Sequence, residues 1–421
     1  MELLTAPVGG TPPVIIDQAA LREAISELRE GTGPIAIDAE RASGYRYSAR
    51  AYLIQLFRRG GGLHLLDPIA LRDLPEIAEL QKVIAECESI IHASTQDLSC
   101  LREFGLDPQI LFDTELGARI ANCPRVGLGA LCESLLEISL AKEHSAVDWS
   151  IRPLRPEWLD YAALDVAVLV DLRDEVAELL ETQGKLDWAR AEFAHLLKQP
   201  PAKPRKDPWR RTSGMHQVKA RADLAIVRAL WNARDLRASK LDLAPGRLLS
   251  DSVIVELALR KPSDEAEFRA LPIMRERIRN EVQREHLSEW WSILQSAYGL
   301  QPAEWPELRA RGEALPPPRI WRDKFPLAYA HLQHARRLLT EISTTQEIPL
   351  ENLISPEVVR RITFDDGKER NFNLSADLTE QTRGTLRELG AREWQISLTV
   401  DAIAQALTET EPPHIVPEVS E

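Results

Sequence analysis

"PIAIDAE", residues 34–40, is a short apolar run that ends in two acids. Its length and composition predict a buried strand. The chain on either side agrees. "DQAALREAISELRE" (17–30) repeats its apolar positions with helical period. "AYLIQLFRR" (51–59) and "GLHLLDP" (62–68) read as two further strands, with "RRGGG" (58–62) as the hairpin turn between them. A helix follows in "LPEIAELQKVIAEC" (74–87), then a strand in "SIIHAS" (89–94) and a helix from about 96 to 104. "ILFDT" (110–114) is another short buried strand and "TELGARIA" (114–121) a helix. Three early strands, then strands separated by helices, is an α/β order. It predicts one α/β domain over residues 12–197.

The pattern breaks at "KQPPAKPRKDPWRR" (198–211), where four prolines and six basic residues face one acid. This marks a linker over 198–212. It fits a solvated hinge and equally a basic strap beside a nucleic-acid path. Beyond it strand signals almost vanish. "ADLAIVRALWNARDLRASKL" (222–241), "SDSVIVELALRK" (250–261) and "RERIRNEVQREHLSEWWSILQSAY" (275–298) are amphipathic helices, with Ser250 and Ser263 as N-caps. After a second break in "WPELRARGEALPPPRIW" (305–321), helices return between 324 and 407. Two all-α domains are expected, at 213–298 and 299–410. "LSDSVIVELAL" (249–259) and "ISPEVVRRI" (354–362) hold corresponding places in them, which suggests a divergent duplication. The acidic, proline-rich tail, 411–421, is expected to be disordered.

A chain of 421 residues exceeds one compact core. Its net charge of −13 argues against a surface wrapped in nucleic acid over most of its area, but not against a local basic groove. Cys87, Cys100, Cys123 and Cys132 make no C-x-x-C pair, which favours buried reduced thiols over a zinc site. "MELLTAPVGGTPP" has no basic n-region and no long apolar core, and no run of ~18 apolar residues could span a membrane. The expected location is the cytoplasm, as a monomer away from any membrane.

Asp38 and Glu40 end the first strand, two apart and so on one face. Such a pair repels unless a cation joins it, and carboxylates with waters and substrate phosphate are what magnesium uses. Taken alone, a D-x-E is commonly just a polar strand end. Asp97 follows the "SIIHAS" strand, where Ser94 and Asp97 also have capping-box spacing. Asp113 reads as a strand-end or helix-cap residue. In "WLDYAALDVAVL" (158–169), Tyr161 and Asp165 lie one helical turn apart. If Asp38, Glu40, Asp97 and Asp165 converge, they can hold two divalent ions that clamp a phosphodiester. Tyr161 is then expected to serve the attacking water, orienting or deprotonating it, rather than the carboxylate.

Order, spacing and flanking residues resemble the ribonuclease D-like, tyrosine-type DEDD 3′→5′ exonucleases. "PIAIDAE" looks like the family's first motif and "IIHASTQDLSCL" (90–101) like its second. "KEHSAVDWSIRPLRPEWLDYAALDV" (142–166) is very like the third, including the D-W and R-P-L that precede Y-x-x-x-D. "YLIQL" and "LFDT" match family framework. The stretch from about 213 to 296 resembles an HRDC domain, the helicase and RNase D C-terminal module, with Ile273 in "LPIM" where the family usually has a glycine. The last domain resembles a second, diverged HRDC-like unit.

The resemblance implies a ribonuclease H-like exonuclease fold, a mixed sheet flanked by helices, followed by two HRDC-type helical domains. It implies Asp38, Glu40, Asp97 and Asp165 as ligands of two Mg2+ or Mn2+ ions and Tyr161 as a catalytic residue. The histidine-type branch would carry its histidine where this chain has Asp160. His92 and His144 read as structural and Trp149 as a packing residue. The implied reaction is stepwise removal of nucleoside 5′-monophosphates from RNA 3′ ends, tRNA precursors among them. A DNA-directed exonuclease and an inactive nucleic-acid-binding adaptor are the alternatives. Arg221, Arg228, Arg234, Arg237, Lys240 and Arg247 are candidate phosphate contacts.

Overall fold

A computed structural model describes residues 2–141, 146–200, 204–308, 315–364 and 377–408. The tail at 411–421 and His144 lie outside the described residues. The strands among the described residues are β1 (Glu2–Leu4), β2 (Val14–Ile15), β3 (Thr32–Arg41), β4 (Ala51–Arg59), β5 (Gly62–Leu66), β6 (Glu88–Ile91), β7 (Ile110–Asp113) and β8 (Ile138–Leu140). The five strands read from the sequence are β3 to β7. With β2 they form one mixed sheet in the order β2-β5-β4-β3-β6-β7. β3 runs antiparallel to β4 and parallel to β6, so both its edges are paired. That central place explains the full burial of Ile35, Ala36 and Ile37. The β4–β5 hairpin turns through Gly60, whose φ of +72° suits a residue without Cβ.

Helices cover the sheet. Gln18–Glu30 starts at Asp17, whose carboxylate accepts from Ala20 N at 3.0 Å. Helix Pro156–Ala167 lies against β3 and β4, and helix Leu169–Thr182 against β3 and β6. β1 and β8 pair with each other in parallel, outside the main sheet. Thr11 Oγ1 donates to Asp160 Oδ1 at 2.5 Å and ties the N-terminal segment to helix Pro156–Ala167.

The middle helical domain has its own core, built on helices Arg221–Leu241, Asp251–Arg260 and Leu287–Tyr298. Trp209, at the end of the proline-rich stretch, is buried in that core. Ser250 stands at the cap of Asp251–Arg260, but its side chain makes no cap bond. The next helix is capped one residue later than expected. Asp264, not Ser263, accepts from Glu267 N at 2.8 Å, while Ser263 N and Oγ donate back to the Glu267 carboxylate. The charged carboxylate is the stronger acceptor for an orphan helix N–H.

The C-terminal domain repeats the plan of the middle one. Arg221–Leu241, Pro245–Leu248 and Asp251–Arg260 correspond to Pro326–Thr345, Leu350–Leu353 and Pro356–Thr363, with Ser250 and Ser355 at equivalent caps. Its apolar residues join the core of the α/β domain. Trp188 and Trp394 stack at 5.0 Å, Trp394 Nε1 donates to Glu192 Oε1 at 2.9 Å, and Arg392 pairs with Glu192. The four cysteines are free, with Cys100 and Cys132 buried. No helix among the described residues is long and apolar enough to cross a membrane.

Candidate active site

The end of β3 carries Asp38 and Glu40 on one face, opposite Gln55 and Leu53 of β4. Helix Pro156–Ala167 lies across this strand end and presents Tyr161 and Asp165. Carboxylate oxygens of Asp38, Glu40 and Asp165 all lie within 4.8 Å of one another. Asp97 is not part of that tight group. It stands beside it, at the start of helix Leu98–Phe104, close enough that its charge acts on Glu40 and that the charge of Asp38 acts on it. All five residues singled out in the sequence line one open cleft of about 730 Å³.

Asp97 is free for this place because the capping box does not form. Its side chain makes no cap bond. Ser94 N and Oγ instead donate to Asp113 Oδ2, at 2.8 and 2.7 Å. Asp113 also accepts from Ala93 N and from Leu116 N, so one buried carboxylate starts helix Thr114–Ile120 and pins the turn before Asp97. Ala93 in that turn has φ +56°, a conformation that costs an L-residue about 1–2 kcal/mol. The R-P-L lead-in to the third motif has a similar positioning role. Arg152 donates to both oxygens of Asp67, at 2.6 and 2.9 Å, and to Tyr52 O at 2.7 Å. Such a bidentate pair fixes direction as well as distance. It anchors the approach to helix Pro156–Ala167 on the β4–β5 sheet.

Electrostatics follow from crowding. Asp38 and Glu40 keep some surface on the cleft floor, yet protein surrounds their charges. Burial is the main cause that raises Asp38 to about 6, against the lowering effect of the Ala39 amide and Arg41. Burial, then Asp38 and Asp165, push Glu40 well above its ordinary value. Asp97 and Asp165 rise to about 8, again by burial first and the Asp38 charge second. Tyr161 hydrogen-bonds Asp165, a link to the carboxylate that the sequence reading set aside. Burial and the Asp165 charge drive its hydroxyl far above the usual phenol range. Clustered carboxylates held up in this way need positive charge. Hard oxygen donors around an open cleft fit a divalent cation.

Arg41 was not singled out from the sequence. Its Nε lies 3.6 Å from Asp97 Oδ1 and it lines the cleft, a cation that helps lower Asp38, Glu40 and Asp97 alike. Its position directly after the D-x-E was the available signal. His92 Nδ1 is tied to Thr114 Oγ1 at 2.9 Å. Trp149 is fully buried and packs edge-on against Trp158, as a packing residue should.

The basic run on the middle domain is largely spent on structure. Arg234 is buried and donates to Leu249 O and Asp251. Arg221 donates to Trp305 O and Pro306 O, Arg228 to Glu304 O, and Arg237 to Glu289. Arg247 donates to Gly44 O of the α/β domain. Only Lys240 of this set is exposed without such a bond among the described residues.

Family models agree with this geometry. Residues 13–181 match a 3′-5′ exonuclease model, 223–288 an HRDC domain, and 314–407 a 3′ to 5′ exonuclease C-terminal domain. The last match covers the domain expected to be a second HRDC-like unit, under a name of its own. Ribonuclease D of Granulibacter bethesdensis is 33% identical over 238 residues, 55% of this chain and 58% of that protein. Ribonuclease D of Escherichia coli K12 is 28% identical over 359 residues, 84% and 90%. The chain thus spans less than two thirds of the Granulibacter relative. A crystal structure of a protein from Bifidobacterium adolescentis shares 38% identity over 96% of this chain and 99% of that one, with a TM-score of 0.86. The E. coli RNase D structure superposes with a TM-score of 0.64 at 23% identity, over 94% and 98%, and shares the fold. With its exonuclease, HRDC and C-terminal modules in this order, the chain belongs to the family of ribonuclease D-type 3′-5′ exonucleases.

Proposed function

We propose that the protein removes nucleotides one at a time from RNA 3′ ends and releases nucleoside 5′-monophosphates. The observation that carries this reading is the meeting of Asp38, Glu40 and Asp165 within 4.8 Å, with Asp97 and Tyr161 in the same open cleft. Asp38, Glu40, Asp97 and Asp165 are the groups that would hold two divalent ions, Mg2+ or Mn2+. When bound, such ions supply an activated water and steady the leaving oxygen of the phosphodiester.

The chain's own residues do the rest. Tyr161 keeps its proton, because burial and Asp165 raise its hydroxyl far above neutral pH. This favours orienting the attacking water over deprotonating it. Asp165 holds the tyrosine hydroxyl at the cleft. Asp113 and Arg152 keep the Asp97 turn and the Tyr161 helix in register. Arg41, beside the four acids in the cleft lining, offers a guanidinium to the substrate phosphate. E. coli RNase D is described as an exoribonuclease involved in structured RNA processing. We extend that substrate class, tRNA 3′ ends included, to this chain, acting as a cytoplasmic monomer.

The test is product analysis of single-stranded RNA incubated with the full chain and Mg2+. Nucleoside 5′-monophosphates should accumulate, and Asp38→Ala should abolish them while leaving RNA affinity within a few-fold. An Asp38→Ala protein that cleaves at the wild-type rate overturns the assignment.

A further inference from the structure

The middle helical domain does not stand clear of the nuclease. The corner between its helices Arg221–Leu241 and Pro245–Leu248 sits on residues 44–48, in the loop that leaves β3 just after Glu40 and Arg41. Ala244 N donates to Tyr45 O at 3.0 Å, and Arg247 Nε to Gly44 O at 2.8 Å. Ser48 N donates to Asp242 Oδ1 at 2.9 Å, and Tyr47 Oη to Asp235 Oδ1 at 3.1 Å. Asp242 adopts φ +47° to make this corner, a conformation that aspartate tolerates better than most residues. The Arg247 guanidinium lies over the Tyr45 ring, 4.0 Å from its centroid.

Gly44 and Tyr45 are also wall residues of the catalytic cleft, together with Asp38, Glu40 and Tyr161. Tyr45 packs in the small apolar cluster that contains Tyr161. Two side-chain bonds tie the loop to its own domain, Tyr45 Oη to Ala146 O at 3.5 Å and Arg46 Nε to Ser150 Oγ at 2.8 Å. Gly44 is exposed and has open space where a side chain would be, and a turn from Ala42 O to the Tyr45 and Arg46 amides supplies its local bonds. The Arg247 guanidinium covers one face of the Tyr45 ring, so a nucleobase in the cleft would meet what the ring leaves open. Base stacking is tolerant of sequence, which suits an enzyme that must accept each new 3′ nucleotide in turn.

We propose that Arg247, from the middle helical domain, is a positioning residue for the nuclease. It pins Gly44 and Tyr45 so that the Tyr45 ring forms the wall on which the 3′-terminal nucleotide is seated. This rests on the exonuclease reading above. It gives the helical domain a part in the cleft itself, apart from any hold on distant RNA. A guanidinium suits the task because it can stack on a ring and donate in its own plane at once, which lysine cannot do.

The experiment is a double-mutant cycle on a five-nucleotide RNA, in the full chain. Arg247→Ala should lower kcat/KM about tenfold, mostly through KM, and Arg247→Lys should recover only part of it. In a Tyr45→Ala background, Arg247→Ala should change kcat/KM by less than about twofold, because its effect passes through the ring. The side chain of Arg247 belongs to an exposed residue, so melting temperatures should stay close to wild type. The same loss in both backgrounds, or no loss in either, overturns the proposal. If the wild type cleaves neither RNA nor DNA, the exonuclease reading fails by itself. The cycle is then read in the affinity for the same oligomer, where additive effects overturn the proposal and non-additive ones support it.

Discussion

Tyr161 and Asp165 show how one helical turn can set a chemical role. Their four-residue spacing was visible in the sequence, and so was the face they share with the family's last motif. The burial that raises both groups was not, because it depends on how the helix packs against the sheet. Burial and the Asp165 charge hold the Tyr161 hydroxyl far above the usual phenol range, which favours the proposed role of orienting water. We therefore expect Tyr161→Phe to lower kcat by roughly 10²-fold, with RNA affinity within a few-fold. A loss of affinity equal to the loss of rate, or a falling melting temperature, would mark the residue as structural. Asp113 teaches the converse lesson. Its cap was legible, but its bonds to Ala93 and Ser94 cross between two segments that only the sheet brings together.

At the scale of the element, the end of β3 is a concentration of charge that the fold alone does not relieve. Asp38 is raised to about 6, and Asp97 and Asp165 to about 8, chiefly by burial. The sign of the consequence follows from linkage. Between the ordinary carboxylate range and these raised values, the folded state binds more protons than the unfolded one, so stability falls as pH rises. The metal-free protein should thus melt at a lower temperature at pH 8 than at pH 6. Added Mg2+ should raise the melting temperature more at pH 8, because it replaces the missing protons. Thermal melts in chelator with and without Mg2+ check this. A melting temperature that rises from pH 6 to pH 8 in chelator contradicts the crowding described here. β3 to β7 were legible because each is an apolar run between turn signals. β1, β2 and β8 are two or three residues long, too short for alternation to register, and they exist only through their partners.

Across the whole molecule, the three modules are not beads on a string. The C-terminal domain shares its core with the nuclease through Trp188, Trp394 and the Arg392–Glu192 pair. Trp394→Ala should therefore cost about 3–5 kcal/mol of stability and destabilise the nuclease as well as its own domain. Denaturation followed by tryptophan fluorescence and by loss of cleavage should show both transitions shifting together. A shift confined to one of them would mean independent domains. The shared plan of the two helical domains was legible from two short matching segments, and the structure extends it to a long helix, a four-residue helix and a serine-headed helix in each. What the sequence did not show at this scale is how the basic run of the middle domain is engaged. Charge along a helix does not reveal which guanidinium groups are taken by carbonyls from distant loops, and Arg221, Arg228 and Arg234 are taken in that way.

The proposed nuclease cleft stands or falls on four acids and a tyrosine. The most direct measurement is a time course on 5′-labelled single-stranded RNA and matched DNA, with Mg2+ or Mn2+, beside the Asp38→Ala protein. The account predicts a metal-dependent ladder that shortens from the 3′ end, faster on RNA, and absent with Asp38→Ala. Retained binding without cleavage of either strand would contradict it and leave a nucleic-acid-binding protein on an inert nuclease fold.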